Sequence, residues 1–171
     1  MSYYCLLTTA GQAKVAAAIA SGTPVAITQM ALGDGGGAPV TPVENRSALV
    51  NEVNRGAVES IVVHPTNPNW LTVQRIIGPE IGGWTVREIG LFDASNTLIA
   101  YGNFPPSYKP VLAEGSGKEL IVRAQFEVSS TAAISISIDP SVVLASQAWV
   151  QQQITALQRA NRARRFFHNQ S

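Results

Sequence analysis

Two glycine-rich stretches are the first candidates for chemistry, because bare backbone N–H groups can cradle a phosphate. Gly33-Asp34-Gly35-Gly36-Gly37 has no Lys-Ser/Thr pair after it. Gly115-Ser116-Gly117-Lys118 comes closer, but Glu119 stands where a metal-binding hydroxyl belongs, and Leu112 takes the place of the first glycine. Nucleotide binding is rejected on those positions, and the first stretch is read as a loop whose backbone angles need glycine. Nucleophilic catalysis fares no better. A Ser-His-Asp triad would have to use His64, in a Pro/Asn turn, or His168, in a basic tail. No carboxylate pair has a suggestive spacing. Cys5 is the single cysteine, so there is no internal disulfide and no Cys/His set for zinc; it reads as a small apolar residue. The residues therefore point to no enzyme, no metal and no cofactor.

Three features suit binding instead. Arg87 and Glu88 stand side by side in a strand-like run, where alternation sends them to opposite faces and away from each other. Each would then meet backbone or a neighbouring subunit. Trp70, Trp84 and Tyr108 are aromatics that a sugar ring could stack on, which keeps a carbohydrate-binding module as the alternative function; most such aromatics are core residues. The tail Arg159-Ala160-Asn161-Arg162-Ala163-Arg164-Arg165-Phe166-Phe167 is basic, but the body before it is mildly acidic. No basic surface extends the tail, so nucleic acid is not the expected partner. A frayed terminus is the plain reading, and a segment that docks on another protein is the functional one, with Arg162, Arg165, Phe166 and Phe167 as its contacts.

The elements that must position these residues are mostly strands. Thr9 and Gln12 have the spacing of a capping box, and an alanine-rich run ends at Gly22. This predicts a helix over about 10–21 with Val15, Ala16 and Ile19 packed on a sheet. Pro24–Leu32 reads as a strand, and residues 38–47 as irregular. Ala57–Val63 and Trp70–Ile77 form a predicted hairpin around a Pro/Asn turn. Trp84–Phe92 and Thr97–Tyr101 form another around Asp93-Ala94-Ser95-Asn96. Residues 105–118 are expected to be a long loop. Glu119–Val128 and Ala133–Ile138 complete the sheet, the last with Ile134, Ile136 and Ile138 on one face. Ser146 then caps a final helix. Along it Val150, Ile154 and Leu157 step by four and three, with polar Asn161 four further on, the seam of a short coiled coil.

The fold class is thus α+β and β-rich: an antiparallel sheet or sandwich, a short N-terminal helix, and a C-terminal helix able to form a trimeric coiled coil. Two domains are expected, a β body over 1–145 and a helix with basic tail over 146–171. Charge marks the same boundary, with a net −3 before residue 146 and +4 after it. Only 13% of the 171 residues are charged, against about 25% in ordinary soluble domains. Such a surface is expected to be covered by partners. No apolar run approaches the roughly 18 residues of a membrane span, and the N-terminus lacks the features of a secretory signal. A cytoplasmic origin is expected, until release in an assembly.

One resemblance gathers several of these segments. The run Gly82-Gly83-Trp84-Thr85-Val86-Arg87-Glu88-Ile89-Gly90-Leu91-Phe92-Asp93 is its centre, with the Gly33–Gly37 loop before it and Tyr101-Gly102-Asn103-Phe104-Pro105-Pro106-Ser107-Tyr108-Lys109 after it. Leu6-Leu7-Thr8-Thr9-Ala10-Gly11, Ala48–Arg55, Glu114–Gly117 and Asp139–Ala145 fall in order around them. Together they resemble the N-terminal attachment domain of tail fibre (tail-collar) proteins from contractile-tailed phages and R-type pyocins. The resemblance covers residues 3–150. It implies a trimeric β-rich virion module, without enzymatic activity, that fixes a fibre to the baseplate at the tail periphery. The shaft would begin just after Trp149-Val150, which matches the independently read seam at Val150, Ile154, Leu157 and Asn161. Trp84, Arg87 and Tyr108 are the expected baseplate contacts. Family members usually run on into a shaft and a receptor-binding tip, so this chain is expected to be either a truncated fibre or, preferred because of the charge break, a short adaptor for a separate distal fibre.

Overall fold

The computed structural model describes residues 2–111, 115 and 118–136. The predicted C-terminal helix lies outside the described residues. So do its seam residues Val150, Ile154, Leu157 and Asn161, and Arg162, Arg165, Phe166 and Phe167. The described elements all belong to one unit, Met1–Ser137.

These elements run β1 (Cys5–Leu7), α1 (Thr9–Ser21), β2 (Val25–Gly33), β3 (Glu52–Ala57), β4 (Ser60–Val63), β5 (Trp70–Ile77), β6 (Trp84–Asp93), β7 (Leu98–Lys109), β8 (Leu120–Glu127) and β9 (Ile134–Ile136). Among the described residues they make two sheets. The larger has the order β1-β7-β6-β2-β3, with β9 lying parallel to β2 beside Val25–Ile27. The smaller is β4-β5-β8, antiparallel throughout. Inward residues of both sheets meet in one core: Met30, Leu32, Ile89 and Leu91 from the larger, Leu71, Val73, Val122 and Phe126 from the smaller. The expected sandwich is therefore present, though not antiparallel throughout, since β9 joins β2 in parallel, and both predicted hairpins form (β4–β5 and β6–β7).

The larger sheet is buried on its second face as well. Ala31, Phe92, Leu98 and Tyr101 point away from the sandwich and are covered by Val40 and Leu49. The irregular segment between β2 and β3 is thus a lid over the sheet. That explains why Gly90 and Ile89 are both buried in one strand: neither face of β6 is wet.

Three local expectations need correction. The helix is capped by Thr8 rather than Thr9. Thr8 is fully buried, its Oγ1 accepts from Gly11 N at 2.9 Å, and it donates to Leu98 O at 2.5 Å. The buried face of α1 is Gly11, Val15 and Ala18, while Ala16 and Ile19 are exposed. Six alanines between residues 10 and 20 leave little apolar contrast to mark a face. Finally, β7 runs to Lys109, through residues expected to open a loop. Two prolines cannot donate to a ladder, and the chain accommodates them with a bulge. Val86 pairs with Ser107 and Glu88 with Asn103, so Arg87 alone stands opposite Phe104-Pro105-Pro106. The ladder then resumes to Trp84↔Lys109. Strands β1 and β3 have no clear sequence signal; both are short edge strands without long apolar alternation.

Candidate functional site

The most specific polar construction is built on Glu88, whose side chain is fully buried. Its Oε1 accepts from Asn51 N at 2.9 Å and Gly35 N at 3.3 Å; its Oε2 accepts from Val50 N at 2.9 Å and the Tyr101 hydroxyl at 2.6 Å. One carboxylate thus ties β6 and β7 to both ends of the lid. The glycines are required by this closeness. A Cβ on Gly33 would lie 2.3 Å from Glu88 Oε1, and Gly35, Gly36 and Gly37 all have positive φ (67°, 67° and 86°). Asp34 closes the loop by accepting from Gly36 N at 2.8 Å and Asn51 Nδ2 at 2.9 Å. The Asn51 amide first, then the Gly36 N–H and the Arg87 charge, hold the Asp34 carboxyl below its ordinary value against slight desolvation.

Arg87 donates to Asp34 O at 3.3 Å, and its Cβ lies 3.7 Å from where a Cβ on Gly35 would stand. The adjacent Arg87 and Glu88 therefore serve the same loop. Simple alternation to opposite faces fails because the β6–β7 register shifts between Val86 and Glu88. Burial, then the Glu88 carboxylate beside it, push the Tyr101 phenol up, so Tyr101 remains a neutral donor. Arg46 lies over its ring at 5.6 Å. Among the described residues no group of three His, Cys, Asp or Glu could hold a metal. Burial pushes the half-buried Cys5 thiol up to about 12, partly offset by the Leu6 backbone.

The three expected docking residues lie at one end of the β6–β7 hairpin but differ in access. Tyr108 is 56% exposed and pairs across from Thr85; Trp84 is half-buried and packs on the sandwich core; Arg87 is half-buried against the loop. Trp70 sits far along the sequence at the start of β5, on the wall of a groove of about 400 Å³. Tyr3, Tyr4, Phe104, Arg123 and Phe126 line that groove with it, whereas Trp84 and Tyr108 do not. The three aromatics read as a carbohydrate platform therefore share no groove among the described residues. Asn103, 8% exposed, fixes the Tyr3-Tyr4 arm: its Oδ1 accepts from Tyr4 N at 2.8 Å and its Nδ2 donates to Ser2 O at 3.0 Å. Sequence reasoning missed this arm, since a terminus with two tyrosines carries no periodic signal.

Comparison with known proteins bears on what this body is for. The sequence profile of the family "Phage tail-collar fibre protein, N-terminal" matches residues 1–148. The probable tail fiber protein of Escherichia phage P2 is 42% identical over 163 residues, which is 95% of this chain and 24% of that relative. The chain thus spans about a quarter of the length of the curated relative it matches. No solved structure matches it. With one profile covering nearly the whole described body and a relative this similar, the chain belongs to the N-terminal family of phage tail-collar fibre proteins.

Proposed function

We propose that this domain joins a tail fibre to the baseplate of a contractile phage tail or pyocin-like particle, as a structural component of the virion. The observation that carries the reading is the match along residues 1–148 to a domain defined as the N-terminal part of a fibre protein. The body would act by surface burial, and a body pre-organised by buried bonds such as those of Glu88 loses little freedom on docking. Trp84, Arg87 and Tyr108 are the proposed baseplate contacts. Residues 146–171 would supply the threefold seam through Val150, Ile154 and Leu157, with Asn161 fixing register. Arg162, Arg165, Phe166 and Phe167 would meet the distal fibre. Assembly would take place in the host cytoplasm, before release.

A domain exchange tests this. The matched quarter of the phage P2 relative is replaced by residues 1–148 of this chain, and purified particles are inspected for fibres by electron microscopy. Fibred particles are expected, with loss of fibres on the triple change Trp84→Ala, Arg87→Ala, Tyr108→Ala. Hybrid fibres that assemble in solution yet never join particles would sink the attachment role.

A further inference from the structure

Sheet edges expose unpaired backbone groups, and folded proteins usually guard them. Three of the edges here are guarded or short. Strand β1 has three residues and β4 has four, ending at the Pro65 turn. Strand β3 has an irregular register with β2 and carries the Glu52–Arg55 ion pair. Strand β8 is different. It pairs with β5 through eight consecutive residues without a bulge and contains no proline, and no strand of the described residues pairs with its other edge.

The hydrogen-bond phase shows which residues serve that edge. Val128 N donates to Asn69 O at 2.8 Å, in register with the Trp70↔Glu127 pairing. In an antiparallel pair the bonded positions alternate. Phe126, Ala124 and Val122 therefore turn their backbone toward β5, and Glu127, Gln125, Arg123 and Ile121 turn theirs to the open edge. The aromatic groove runs along Arg123–Glu127, and β1 lies close to β8. Ile121 is 48% exposed, and Tyr3 and Tyr4, on the opposite wall of the groove, are 45% exposed each.

We propose that the open edge of β8 pairs antiparallel with β8 of a second copy of this chain, about a twofold axis at Gln125. Only edge-facing residues can be bonded partners, so odd positions must meet odd positions. Centring the pairing on Gln125 satisfies this and sets Arg123 of each copy opposite Glu127 of the other. Two ion pairs form by symmetry, since a twofold contact repeats every interaction. On the inner face the same register sets Ala124 against Phe126. The contact joins the two small sheets into one of six strands and covers the exposed tyrosines beside it. It is a twofold contact and so lies outside any threefold fibre seam; it would join two chains, or two fibres, at their bodies. Charge complementarity selects the second copy over a foreign strand, because the strand is its own match. The inference does not rest on the baseplate reading.

The test uses the full chain in sedimentation over a concentration series, with Arg123→Glu, Glu127→Arg and the double variant. All of these positions are exposed on the outer face, and melting curves verify that each variant folds. The wild type is expected to associate in twos of its basic unit, whether monomer or trimer. Each single change places like charges opposite one another at two places and should weaken that step by about tenfold. The double variant exchanges the charges and should restore it. A wild type that never doubles overturns the proposal, as does a double variant no tighter than the singles. An edge that pairs only with a strand of another tail protein, seen as a mixed complex without self-association, overturns it equally.

Discussion

A carboxylate buried with no cation beside it must be met by hydrogen-bond donors, and Glu88 is met by three backbone N–H groups and one phenol. All four are donors, so the site accepts an ionised carboxylate and rejects an amide. Glu88→Gln would turn an NH2 group toward at least one N–H and leave the lid poorly held. The expected loss is about 3 kcal/mol in urea unfolding; a loss below about 1 kcal/mol would mean that the lid is held by apolar packing alone. Asp93 offers a test by pH. Burial pushes its carboxyl up, but the Lys14 ammonium and the Thr97 and Ser95 N–H groups outweigh that and hold it below its ordinary value. A depressed folded value stabilises the protein above the unfolded value, near pH 4, and that contribution fades as pH falls through the folded value. Asp93→Asn should therefore lower Tm at pH 7 and converge with the wild type as pH falls below the folded value of Asp93. A constant gap at every pH would remove charge from the explanation. Asp93 sits visibly in a turn sequence. The role of Glu88 is not legible, because its neighbours come from a lid that no local pattern ties to β6.

At the scale of elements, legibility follows the strength of local chemistry. The two hairpins stand out because turn residues separate runs of β-branched and apolar residues, and Asp93 indeed caps the second turn through Ser95 N and Thr97 N at 2.9 and 2.8 Å. The Pro105-Pro106 pair misleads, since proline argues against a strand and a bulge is decided by the partner strand. The helix misleads in another way: alanine favours helix without saying which side is buried. The buried side is set by Gly11, where a Cβ would stand 2.0 Å from Ile99 O. Gly11→Ala makes two opposed predictions collide. Helix propensity favours alanine by about 1 kcal/mol, whereas the backbone clash forces the helix off β7. Net destabilisation of about 2 kcal/mol or more is expected in thermal or urea unfolding. A stabilised variant would show that α1 is held loosely and that Thr8 alone anchors it.

At the scale of the molecule, the body and the tail make separate demands. Two core clusters are built from residues of the body, and the body is expected to fold without the seam. A coiled coil of two heptads, by contrast, is too short to hold alone; if the seam at Val150, Ile154 and Leu157 forms, it does so because three bodies or a distal partner concentrate it. Its apolar stripe is legible in the sequence by spacing alone, while its partner is not, since spacing carries no identity. The decisive measurement is the solution mass of the full chain, of the triple variant Val150→Ala, Ile154→Ala, Leu157→Ala, and of residues 1–145, each by light scattering. Carrying Arg123→Glu in all three weakens the twofold edge contact by about tenfold, and working at concentrations below that step leaves only threefold assembly to be read. A trimer that falls to monomers in the triple variant, with an unchanged melting curve for the body, would assign assembly to the seam. A 1–145 body that stays trimeric would move the threefold interface onto the sandwich. The seam residues would then be free to receive the distal fibre, and Trp84, Arg87 and Tyr108 would have to share the body's surface with two neighbouring copies.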